Sequence, residues 1–157
     1  MHTIKKILLY LILLFPCIVV AQEFRLLCNG EEKKFTTDDK SSERISKKII
    51  SAEVFENGMR IDGEWFDNNI DITDDYNLER SFSKTNERID GSRRFITSSF
   101  IEGYKIQTTK IDIVKIDLIN SKLSLNHEFN RRDVTEDKEK EFYSFEKTFN
   151  GTCRKVE

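Results

Sequence analysis

Proline and histidine are nearly missing from these 157 residues, which hold one proline, Pro16, and two histidines, His2 and His127. With so little histidine and no Cys-x-x-Cys pair, the ligand spacings of a zinc site do not occur. Gly-x-Ser-x-Gly, His-Glu-x-x-His, the P-loop and Gly-x-Gly-x-x-Gly do not occur either. That removes the familiar sequence marks of an activated serine, a catalytic zinc or a bound nucleotide. Long apolar runs are also lacking. The longest, Ile7 to Val20, has 14 residues, whereas a spanning helix needs roughly 20.

That run is nevertheless the most informative segment of the chain. Lys5 and Lys6 precede it, Val19-Val-Ala21 ends it with small residues at the right spacing, and the polar pair Gln22-Glu23 follows. These are the three parts of an export signal. We expect a signal helix over residues 1–21, cleavage between Ala21 and Gln22, and one mature domain over 22–157. Cys17 leaves with the leader, because Phe15-Pro16 before it is too bulky for a lipidation site. Without the two leader lysines, 24 basic residues face 28 acidic ones, a net charge of −4. Mild acidity with mixed signs argues against a nucleic-acid partner.

Two cysteines remain, Cys28 and Cys153, near the two ends of the mature chain. An even pair in an exported protein reads as a disulfide. It would place the first and last mature strands side by side.

Between them the pattern has period two and is rich in β-branched and aromatic residues. Phe24, Leu26 and Cys28 alternate into a turn at Asn29-Gly30, followed by a polar loop over residues 31–43 around Phe35. A strand over about 48–56 runs into Asn57-Gly58, and the chain returns from Met59 to Phe66. Ile70 and Ile72 alternate next, as do Tyr76, Leu78, Arg80 and Phe82. Turns are expected at Asp90-Gly91, Glu102-Gly103 and Asn120-Ser121. The strand over 104–118 carries a phase change near Thr109-Lys110, which turns Ile111 and Ile113 inward. Leu123, Leu125 and His127 follow in phase, then a charged loop over 130–140 and a last strand over 142–149. About eight strands with short turns make an all-β domain. Its edges must be closed or covered, so a single antiparallel meander forming a barrel or strongly curved sheet is expected, with a β-sandwich as the alternative.

Few side chains suggest chemistry. His127 is the only mature histidine; on its strand it fits a general base or a rim residue, and we expect an open strand face with no pocket beside it. Asp67, Asp71, Asp74 and Asp75 resemble a calcium loop, but Tyr76 and Phe82 stand where an EF-hand starting at Asp71 needs Gly and Glu. Arg93-Arg94 and Arg131-Arg132 read as solvated loop charge. Asn150-Gly-Thr152 fits the glycosylation sequon, which matters only in a source that glycosylates. Trp65 and Phe66, with His127, form a candidate binding rim. No catalytic residue, metal ligand or cofactor is assigned.

Phe24-x-x-x-Cys28-x-Gly30, the segment from Ile116 to Leu123 and Gly151-x-Cys153 resemble a set of small, uncharacterised exported bacterial proteins. That set often carries Asp-Arg-x-x-Gly at the inner turn, where this chain has Leu118 and Ser121 in place of Arg and Gly. The resemblance implies a secreted β-domain and supplies no activity. The chain is also faintly similar to periplasmic inhibitors of c-type lysozyme. Their Ser-Gly-x-x-Tyr loop is not reproduced, and Asp90-Gly-Ser-Arg-Arg-Phe95 only echoes it.

The expectation is therefore an exported, periplasmic or secreted, non-enzymatic β-domain with a binding role. A partner, if any, would be an envelope or secreted protein, with no membrane span after processing. The alternatives are a periplasmic inhibitor of a hydrolase such as lysozyme, and an enzyme using His127.

Overall fold

The computed structural model describes residues 22–36, 44–135 and 140–156; the leader and its cleavage site lie outside them. Among the described residues there are ten strands and no helix: β1 (Gln22–Thr36), β2 (Arg44–Phe55), β3 (Gly58–Ile61), β4 (Glu64–Asp67), β5 (Ile70–Ile72), β6 (Tyr76–Lys84), β7 (Arg88–Ile101), β8 (Tyr104–Asp117), β9 (Lys122–Asp133) and β10 (Lys140–Val156). All pair antiparallel in one sheet ordered β4-β3-β2-β1-β10-β9-β8-β7-β6-β5. The expected curled meander is what forms, and the β-sandwich does not.

The first and last strands meet in the middle of the sheet. Cys28 opposes Cys153 across β1 and β10, and the two are disulfide-bonded with Cα atoms 3.9 Å apart. The sheet's two ends, β4 and β5, are joined by Asn68 and Asn69. The Asn68 amide donates to the Phe82 carbonyl at 3.0 Å and accepts from the Phe82 N–H at 2.8 Å. The Arg80 N–H donates to the Asn69 carbonyl at 2.9 Å. One side chain thus takes the place of a strand along β6, satisfying backbone groups that an open edge would leave unpaired.

The core occupies one end of the curl. Leu26, Cys28, Ile50, Ala52, Val54, Met59, Phe66, Ile89, Val114, Ile116, Leu123 and Phe149 are buried there. Each large apolar side chain removed from water stabilises by about 1.5–3 kcal/mol. Beyond this end the long strands continue upward with their concave face open.

Several expectations need correction. Strand β1 does not stop at Asn29-Gly30 but runs through the supposed loop to Thr36. Strand β2 begins at Arg44, and its turn is Glu56-Asn57, with Phe55 opposite Gly58 and no left-handed residue. The return from Met59 to Phe66 is itself a hairpin, bent at Asp62 (φ 47°) and Gly63 (φ 91°). Asp90-Gly91 is no turn; it lies inside β7. The chain reverses earlier, where the Thr85 hydroxyl accepts the N–H groups of Glu87 and Arg88 at 3.3 and 3.0 Å. Gly91 is required for contact: a Cβ there would strike the Met59 methyl and come within 3.1 Å of the Phe66 Cβ.

Strand β8 shows no phase change. Its register with β7 and β9 is continuous, so Ile106, Val114 and Ile116 face inward and Ile111 and Ile113 outward. Strands β9 and β10 also extend beyond their expected limits, β9 to Asp133 and β10 through Asn150-Gly151 to Val156.

Candidate functional site

Strand alternation and register stack the concave face in rows. The floor is Phe149, Leu125, Val114, Gly91 and Phe82, each opposite the next. One step up, a row crosses seven strands: Arg44, Lys34, Lys147, His127, Asp112, Arg93 and Arg80. The next row up contains Phe145, Phe129, Lys110, Phe95 and Leu78. Above that are Tyr143, Arg131, Thr108, Thr97 and Tyr76.

His127 is therefore not on a bare face, contrary to expectation. Its Nδ1 lies 2.5 Å from Oδ1 of Asp112, and their side chains are 27 % and 15 % exposed. An ionised carboxylate only accepts, so Nδ1 is the donor and Nε2 is left for other partners. Beside them is a pocket of about 160 Å³, floored by Leu125 and Phe149 and walled by Glu32, Lys48, Asp112, His127 and Lys147. Lys48 pairs with Glu32 at 3.4 Å and Asp62 at 3.2 Å. Burial pulls the Lys48 ammonium down, but bonding and attraction from Asp62 and Glu32 outweigh it, and its pKa sits above the ordinary lysine value.

The aromatic row is packed. Phe129 and Phe145 stack with centroids 5.0 Å apart and planes at 8°, with Tyr143 against both and His127 5.5 Å from Phe145. Lys34 and Lys147 both lie over the Phe145 ring, at 5.0 and 5.4 Å. Each such contact is worth about 0.5–1 kcal/mol at an exposed site.

The other sequence candidates are dispersed. Trp65 rests on Phe55, centroids 4.9 Å apart, at the sheet's β4 end. Its neighbour Phe66 belongs to the core at 1 % exposure, so it forms no rim; alternation sends adjacent residues to opposite faces. Asp67 pairs with Arg80 at 2.8 Å, and Asp71 accepts from the Tyr76 hydroxyl at 2.8 Å, which pushes the Tyr76 phenol upward. Asp67 and Asp71 are thus engaged in separate contacts. Among the described residues no three histidine, cysteine or carboxylate side chains converge on a metal-sized point, and no helix is long and apolar enough to cross a membrane. Of the two arginine pairs, only Arg93 and Arg131 face the concave side. The residues missed from sequence are Asp112, Lys147, Lys34, Phe129 and Phe145, each in phase with a core residue on its own strand.

Comparison with family models, with curated proteins and with solved structures matched none of them. The class is defined by the fold alone: a one-sheet, disulfide-linked, curled β-meander.

Proposed function

We propose that this is an exported, non-enzymatic β-domain that works by binding on the concave face of its sheet. The observation that carries the reading is the change along that face, from a sealed apolar floor to half-buried charged and aromatic rows open at one end. Binding surfaces combine such aromatic anchors with a few placed polar groups. Export is supported by the leader sequence and by the Cys28–Cys153 bond, which suits an oxidising periplasmic or extracellular compartment. The intact mass of the exported protein should begin at Gln22. A mass retaining residues 1–21, or a lipid on Cys17, overturns that step.

Two observations favour other readings. The oriented His127 and its pocket favour an enzyme, with Glu32 as the second proton-transfer group. Against this, His127 and Asp112 are direct cross-strand neighbours, an ordinary setting for an ion pair, and the pocket walls supply no hydroxyl or thiol nucleophile. The hairpin tip between β7 and β8 favours an inhibitor of a hydrolase such as lysozyme, because it projects Phe100 at 77 % and Tyr104 at 54 % exposure.

Capture from native envelope extract separates the surfaces. A Phe129→Ala/Phe145→Ala variant of the immobilised mature domain should lose the material that wild type retains. A Phe100→Ser/Tyr104→Ser variant should keep it. The reverse pattern overturns the concave-face reading in favour of the hairpin tip.

A further inference from the structure

Like charges directly opposed across antiparallel strands are destabilising, and the charged row contains two such places. At one end Arg80 opposes Arg93. There strand β4 supplies a carboxylate to each: Asp67 pairs with Arg80 and Glu64 with Arg93. At the other end Lys34 stands between Arg44 on β2 and Lys147 on β10. No carboxylate within ion-pair reach of these three cations is found among the described residues. Lys34 and Lys147 instead share one neutral ring, Phe145. Among the described residues, one set of opposed cations is neutralised and the other is not.

We infer that Lys34 and Lys147 form the head-group site for a small organic anion whose apolar body lies along Phe145 and Phe129. This rests on the concave-face reading and names its ligand class. The two ammonium groups approach from adjacent strands over one ring, a geometry that suits a carboxylate, sulfonate or phosphate of one or two charges. The stacked Phe129–Phe145 pair, half-buried immediately above, offers an apolar wall. Beneath, Glu32 is paired with Lys48 and Asp112 is hydrogen-bonded to His127, so the nearest carboxylates of the pocket already have partners. Charge complementarity therefore selects an anion over a neutral or cationic ligand. The concavity and the small pocket at its base select a low-molecular-weight one.

Two probes sharing one carbon skeleton test this on the oxidised mature chain. Anilinonaphthalene sulfonate carries the anion, and phenylnaphthylamine is the same molecule without it. The sulfonate should bind at least about tenfold more tightly than the neutral amine, and its binding should weaken between about 50 and about 500 mM salt as screening tightens. A Lys34→Gln/Lys147→Gln variant should lose about tenfold in sulfonate affinity, leave the amine unchanged, and keep or raise Tm as the repulsion is relieved. Unchanged sulfonate binding in that variant overturns the inference.

The Phe129→Ala variant distinguishes the two levels of the argument. If both probes bind equally well and both lose affinity there, the concave face binds without anion preference, and only the inference falls. If neither probe depends on Phe129, the concave-face reading falls with it. Near-ultraviolet circular dichroism of each variant, matching that of wild type, excludes probe binding to a loosened fold.

Discussion

Replacing Cys28 and Cys153 together by alanine is expected to lower the stability of the β-domain by about 4–5 kcal/mol. The two cysteines are 125 positions apart, so the bond closes most of the chain into a ring. Its loss releases the largest loop-closure entropy that a single crosslink could restrain here. The bond also sits where the fold has most to lose. Strands β1 and β10 are the first and last of the chain, yet they are neighbours in the centre of the sheet. Their pairing is what turns an open meander into a curl. Cys28 is fully buried, so the substitution also removes packed sulfur from the core. Twelve residue pairs hold the same two strands together, and the variant should therefore fold, with an unchanged sheet by far-ultraviolet circular dichroism and a lower urea midpoint. A loss below about 1 kcal/mol would mean that the unfolded chain stays compact without the bond, and would overturn the estimate.

That seam was legible in the sequence, because two cysteines in a chain that reads as exported, without other staples, have few alternatives. The strands were legible too, wherever one face is core and the other solvent. Reading failed where burial stops. From Glu31 to Thr36, β1 alternates between two polar faces, since Glu32 and Lys34 point into an open concavity and not into the core. With no apolar period left, a strand looks like a loop. Glycine misled for a different reason. Asp90-Gly91 has the composition of a turn, but Gly91 is small because Met59 and Phe66 of another hairpin press on it. That contact is invisible to local sequence, while the real left-handed turn at Asp62-Gly63 passed as strand.

The partner of His127 was lost through an error of phase. His127 was correctly placed in line with Leu123 and Leu125. Turning Ile111 and Ile113 inward put Asp112 on the wrong face, and a shift of one residue reverses every side chain. Counting upward by twos from Val114 instead gives Asp112, Lys110 and Thr108. The same count from Phe149 gives Lys147, Phe145 and Tyr143. The phases were therefore recoverable strand by strand. The seven-strand row was not, because it exists only once register sets each strand's height.

Truncating Phe66 to alanine is expected to cost about 3–5 kcal/mol, the range for a buried phenylalanine. The argument is more local than for the disulfide. Strand β4 has four residues, pairs with β3 alone and forms one end of the sheet, so hydrogen bonds hold it on one side only. What fixes the β3–β4 hairpin over the interior is Phe66, 1 % exposed, seated where Gly91 of β7 makes room. The ion pairs from Glu64 to Arg93 and from Asp67 to Arg80 are half-exposed and worth about 1 kcal/mol or less each. They cannot hold the hairpin once the ring is gone. Urea unfolding should therefore show the full loss. Hydrogen exchange should show an additional effect confined to Met59–Phe66 and to the Phe82 amide, which relies on Asn68 just beyond β4. These amides should exchange by local opening while those of β1, β9 and β10 stay protected. Uniform acceleration across all strands would instead mean that the hairpin opens only with the whole domain, and the local account of Phe66 would be wrong.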